Sequence, residues 1–145
     1  MKKLLVLAAL VAGLLFAFAR GGEGGRGHDD GAMLPSDATL AQAFADHAER
    51  LQVRGGGHVV AILRDDTQGS RHQRFVLRLD SGQTVLIVHN IDLAPRIDDL
   101  AEGDLVTFSG EYIWNPQGGL VHWTHHDPAG RHADGWLQHG SRIYR

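Results

Sequence analysis

The chain has no cysteine and, after Lys2 and Lys3, no lysine. Without cysteine no disulfide can brace the protein in an oxidising compartment, and the N-terminal segment offers no thiol for a lipid anchor, so the fold must be held by its packed core. Without lysine, arginine is the only strong cation. Beyond Lys3, 12 arginines face 17 Asp and Glu residues, a net charge of −5. A general nucleic-acid binder carries a basic surface, so that class is not expected here, although a local arginine patch can still bind an anion. The apolar run over residues 4–19 falls short of the ~20 residues a spanning helix needs. No His-Glu-x-x-His and no familiar zinc spacing occurs. Gly55-Gly56-Gly57 is followed by no Lys-Ser/Thr and no helix, which excludes a phosphate loop, and Ser70, Ser109 and Thr124 lie in no nucleophile motif.

What is present begins with a leader. Met1-Lys2-Lys3 supplies a positive start, residues 4–19 an apolar stretch, and Ala17-Phe18-Ala19 the small-x-small pattern that precedes signal-peptide cleavage. Residues 1–19 read as a signal peptide cut after Ala19, with an uncleaved N-terminal anchor as the alternative. The protein is then exported, periplasmic or extracellular, and touches a membrane only through that segment if it is retained. Residues 20–35, rich in Gly, Asp and Arg, read as a flexible linker. Residues 36–145 suffice for one domain with a single core.

That domain reads as mainly β. Ser36 is a plausible N-cap, and Leu40, Ala43, Phe44, His47, Ala48 and Leu51 recur at helical spacing, predicting one amphipathic helix over 36–51 that ends before the glycine run. Strands are expected over 57–64, 71–79, 84–91, 105–114 and 120–126. Asp80-Ser81-Gly82-Gln83 forms a tight hairpin, and a longer connection containing Pro95 follows the third strand. Trp136, Leu137, Ile143 and Tyr144 suggest a tail packed back on the strands. Five short strands with a long third connection predict an OB-like barrel preceded by a helix, with an SH3-like barrel as the alternative.

Ten histidines are present, and four of them, His122, His125, His126 and His132, cluster late in the chain. Histidine changes charge near neutral pH and is the commonest metal ligand. In OB connectivity the start of strand two and the ends of strands three and five meet at one end of the barrel. A turn centred on Ser81-Gly82 sets Arg74 opposite His89 and Gln73 opposite Asn90. Arg71, His72, Arg74, His89, Asn90 and His126 are therefore the expected ligand-binding residues, suited to a small or oligomeric anion. His72, His89, His126 and Asp127 could instead ligate a divalent metal ion, and His89, His126 and Asp127 are the candidate catalytic groups. Glu111 reads as a solvated carboxylate, and Trp114 and Trp123 as core aromatics.

Several segments carry a resemblance. Gly69 to Phe75, Ser81 to Thr84, His89 to Ile97, Gly110-Glu111-Tyr112, Trp114 to Gly119 and His122 to Pro128 are similar to the bacterial family called domain of unknown function 3465. The resemblance covers about residues 52–145 and implies a small exported protein; it brings no reaction with it. A looser likeness, to periplasmic bacterial OB-fold proteins, is architectural only. The expected function is an exported OB-like binding module for an anionic ligand. The alternatives are a metal-dependent hydrolase of phosphodiesterase type and an envelope interaction protein without a small ligand.

Overall fold

The computed structural model describes residues 35–145. The expected signal peptide, and the linker as far as residue 34, lie outside the described residues. Helix α1 spans Pro35–Ala45 and carries Asp37 in its first turn, where a carboxylate suits the positive end of the helix dipole. Asp37 Oδ2 also accepts the Ser81 backbone N–H at 2.9 Å, tying the helix start to the turn after the second strand. Leu40 and Ala43 are the stripe residues that enter the core. The helix stops short of residue 51. His47 takes a left-handed φ of 51°, and its ring stacks on Trp114 at 4.0 Å. From Glu49 the chain is already strand.

The strands are β1 (Glu49–Ile62), β2 (His72–Arg78), β3 (Thr84–Asn90), β4 (Leu105–Ile113), β5 (Leu120–His122), β6 (Trp136–His139) and β7 (Arg142–Tyr144). β1 runs straight through the glycines that the sequence offers as a break. It does so because they are where its neighbours come closest. A Cβ on Gly55 would stand 2.8 Å from the Phe108 ring, and one on Gly57 2.5 Å from the Arg78 carbonyl oxygen.

β2 pairs antiparallel with β1 and β3. β3 runs parallel to β5, and β4 pairs antiparallel with both β5 and β1. Five strands thus make a closed ring of pairings, β1-β2-β3-β5-β4, within one seven-stranded sheet. The tail does return to the strands. β6 joins β4 at Val106–Ser109, and β7 pairs with β6. Inside the ring, Phe75, Leu77, Ile87, Val106, Phe108, Tyr112, Val121 and Leu137 are buried. Alternate residues of the same strands face outward. Among the described residues no helix is long and apolar enough to cross a membrane.

Two local departures from expectation matter for the site. The β2–β3 turn has three residues, not two. Leu79 N–H bonds the Gln83 carbonyl, and Gly82 sits at φ 88°, the left-handed third position of such a loop. The register is therefore one residue away from that expected: His72 faces Asn90, Gln73 faces His89 and Arg74 faces Val88. β5 also ends at His122. Trp123 adopts φ 52°, which breaks the alternation expected through His126.

Candidate functional site

The start of β2 and the end of β3 do meet, and the preceding loop joins them through a bridge between Asp66 and His72. His72, Arg74 and Asn90 lie on the outer face. Arg71 beside them is engaged by Asp92, Nε to Oδ1 at 2.7 Å, with its backbone N–H donating to Oδ2 at 2.9 Å. These contacts, the backbone bond foremost, hold the Asp92 carboxyl below the usual range. Arg74 donates from Nε and Nη2 to the Arg64 carbonyl at 3.1 and 2.8 Å. Asn90 Oδ1 caps the Asp92 N–H. The His72 ring makes no hydrogen bond among the described residues.

His89 does not join them. The shifted register turns it inward, where it is fully buried. Its Nε2–H donates to the Pro95 carbonyl at 3.1 Å, and its Nδ1 accepts the Thr124 hydroxyl at 2.8 Å. A carbonyl can only accept, so the proton sits on Nε2 and the ring is neutral. Burial, with smaller repulsion from His125 and His72, pushes its pKa down to about 4. With both nitrogens engaged in the core, His89 braces the loop after β3 and presents nothing to a ligand. Gln73, also inward, does the same through Ile97, donating to its carbonyl and accepting its N–H at 2.8 and 2.9 Å.

His126 and Asp127 belong to another loop. His126 is exposed and donates from Nδ1 to Asp134 Oδ2 at 2.8 Å. The Asp127 carboxylate accepts the backbone N–H groups of Ala129, Arg131 and His132 at 2.7–2.9 Å. Those bonds, with that of Ala129 largest, hold its pKa below the ordinary value. Asp127 thus organises a loop. The expected metal set of His72, His89, His126 and Asp127 is not assembled. Among the described residues no three His, Cys, Asp or Glu side chains are placed to hold one ion.

The structure instead gathers a constellation around Glu111. This residue lies on the outer face of β4, opposite His122 of β5 and Gln52 of β1. His122 Nε2 lies 3.0 Å from its Oε1, and His132 Nε2 lies 2.6 Å from its Oε2. The Trp123 indole stacks on the His132 ring at 4.2 Å and 9°. His132 also donates from Nδ1 to the Ala133 carbonyl at 3.0 Å. With acceptors at both nitrogens, this ring is an imidazolium opposite an ionised Glu111.

The shifts follow from the same contacts. Burial works against charge on Glu111, but hydrogen bonds from His132 and His122 outweigh it and its pKa lies low. Burial also opposes charge on His132, and the Ala133 carbonyl together with Glu111 raises its pKa nonetheless. For His122 burial prevails. With repulsion from His132 and His72 added, its pKa lies below the usual value despite Glu111. The group is one carboxylate, one imidazolium and one neutral imidazole whose Nδ1 has no partner among the described residues.

These side chains form a row across the ring. Arg74 pairs with Val88, and Val88 lies one residue beyond the Ile87–Val121 match, beside His122. His122 pairs with Glu111, and Glu111 with Gln52. Turn arithmetic could have found part of it, because a hairpin centred on Pro116-Gln117 places Glu111 across from His122. Nothing in the local sequence brings His132 there; the loop that Asp127 shapes delivers it.

No curated protein matches this chain. A family model described as Protein of unknown function (DUF3465) matches residues 28–145. The match spans well over half of the sequence, and the chain belongs to that family.

Proposed function

We propose that the protein is an exported OB-type binding module whose ligand, a small or oligomeric oxyanion, lies on the outer face of β2, β3, β5 and β4. The closed pairing β1-β2-β3-β5-β4 with β3 parallel to β5 supports the OB assignment. The positive start and apolar run of residues 1–19 support export. One observation carries the ligand class. The carboxylate of this face, Glu111, is already neutralised by His132. Among the described residues the His72 ring, the Asn90 amide nitrogen and one Arg74 nitrogen are left unengaged on the face, with the bare His122 Nδ1 beside them, and the three donors favour an oxyanion in a chain that is acidic overall. The hydrolase reading would need a different ligand set from His72, His89, His126 and Asp127, because His89 and Asp127 are committed to internal bonds.

Amide and ring shifts of the protein titrated with inorganic sulfate and with short-chain polyphosphate test this. Shifts should gather at His72, Arg74, Asn90 and His122, and Arg74→Gln with His72→Gln should weaken binding by roughly tenfold or more. Shifts scattered over the surface, or indifferent to both substitutions, would refute it. For export, N-terminal sequencing of protein from the periplasmic fraction should begin at Arg20; recovery only from the membrane with Met1 intact contradicts cleavage.

A further inference from the structure

A carboxylate that grips one imidazole so tightly leaves the second in an unusual position. Glu111 Oε1 fixes the proton of His122 on Nε2, so the bare nitrogen is Nδ1, on a ring that is 29% exposed. This is the logic by which a buried carboxylate selects a tautomer and aims the other nitrogen at a reacting or binding partner. The titratable groups acting on His122 come from three elements, and the Arg74 guanidinium lies beyond Val88 in the same row. Glu111 comes from β4, His132 from the loop before β6, and His72 from β2. The β3 residues beside it, Leu86 and Val88, carry no charge.

We propose that His122 is the proton-accepting group of this face, taking up one proton from solvent at Nδ1 when an oxyanion occupies the surface beside it. The inference rests on the binding reading above and adds its regulation. In the free protein partial burial, with smaller repulsion from His132 and His72, keeps the ring neutral, while Glu111 is already occupied by His132. An arriving sulfate, phosphate or carboxylate group supplies both the missing opposite charge and an acceptor for an Nδ1–H. The proton passes from solvent to Nδ1, and no covalent bond of the ligand changes. By linkage, binding then tightens as pH falls, by up to about tenfold per pH unit for one proton. The window is bounded below by the depressed pKa of free His122 and above by its raised value in the complex.

Sulfate is the suitable probe, because its own charge is constant across this window. In protein labelled with 15N-histidine, the His122 ring should be singly protonated at Nε2 near neutral pH and should become doubly protonated on adding sulfate at fixed pH. Sulfate affinity should rise as pH is lowered, and His122→Gln should bind more weakly with a shallower pH dependence in that range. If sulfate shifts the outer-face residues while the His122 ring stays singly protonated, or if His122→Gln leaves the pH dependence unchanged, proton uptake is refuted and the binding reading stands. If sulfate moves none of these residues at any pH, the binding reading falls and this inference with it. The direct ring measurement on the unsubstituted protein decides the matter even if His122→Gln fails to fold.

Discussion

His132 Nε2 lies 2.6 Å from Glu111 Oε2, across 21 residues of chain and from a loop to the outer face of β4. The contact ties the loop before β6 to β4, beside the backbone pairings of β4 with β5 and β6. It converts a carboxylate that sequence reading leaves in solvent into the centre of the site.

The pH dependence of that contact has a definite sign. His132, with its pKa raised, adds stability that is complete below its unfolded pKa and is lost as pH rises through its folded value. Glu111, with its pKa lowered, adds stability present above its unfolded pKa and lost as pH falls through its folded value. His132→Gln should therefore lower the melting temperature most near neutral and mildly acidic pH and least in alkali. Both side chains are partly exposed, so the loss should be on the order of 1 kcal/mol. A deficit equal at all pH values would contradict the ion pair.

The buried His89 predicts acid sensitivity. Its folded pKa of about 4 lies below the ordinary histidine value of 6.5, so the native state excludes its proton. Stability should fall as pH drops from about 6.5 toward 4, by about 3 kcal/mol if the group acts alone. Urea unfolding of the protein and of His89→Leu across this range measures it. The variant should be weaker at neutral pH and show a shallower slope in acid; an unchanged slope would remove His89 as the cause.

Thr124 is the donor to His89 Nδ1. Thr124→Val keeps the shape and removes the hydroxyl, leaving a buried acceptor unsatisfied at a cost of about 1–3 kcal/mol. Thr124→Ser should recover most of the loss. Equal stability of the valine variant and the parent in chemical denaturation would show that the bond contributes nothing net.

Gly57 is a packing position within β1. An added Cβ would meet the Arg78 carbonyl oxygen at 2.5 Å, and that backbone is held by the β1–β2 ladder. Gly57→Ala should cost about 1–3 kcal/mol by overpacking. At Gly56 the closest obstacle is the Thr107 side chain at 2.9 Å, which can rotate, so Gly56→Ala should cost less. Thermal melts of the two variants decide the order.

Asp127 should govern the order of its loop. In Asp127→Ala the amides of Ala129, Arg131 and His132 lose their acceptor. Their hydrogen exchange should accelerate, and the Glu111–His132 contact should loosen with them. Unchanged exchange at those three amides would refute the role.

How much of this was legible in sequence follows from particular elements. Alternation and turn residues located the strands, because a half-buried strand must repeat every two residues. The glycine run misled, since a break and a close approach of backbones use the same residue. The β2–β3 turn misled by a single position, and that was enough to invert a face. A two-residue turn puts His89 beside Arg74 on the outside, whereas the three-residue turn puts it in the core. The nearly continuous apolar run Val85 to Val88 offered no alternation to correct the error.

The sequence by itself determined a mainly β domain with one leading helix, the meeting of the β2 start with the β3 end, and a surplus of histidine in the last third of the chain. Those follow from local periodicity, turn chemistry and composition, which each segment carries within itself. Tertiary structure alone decided which histidines are core and which are surface. Facing is fixed by register, and the Glu111–His132 contact by a loop whose path is set by hydrogen bonds to Asp127 rather than by any pattern in the residues it joins.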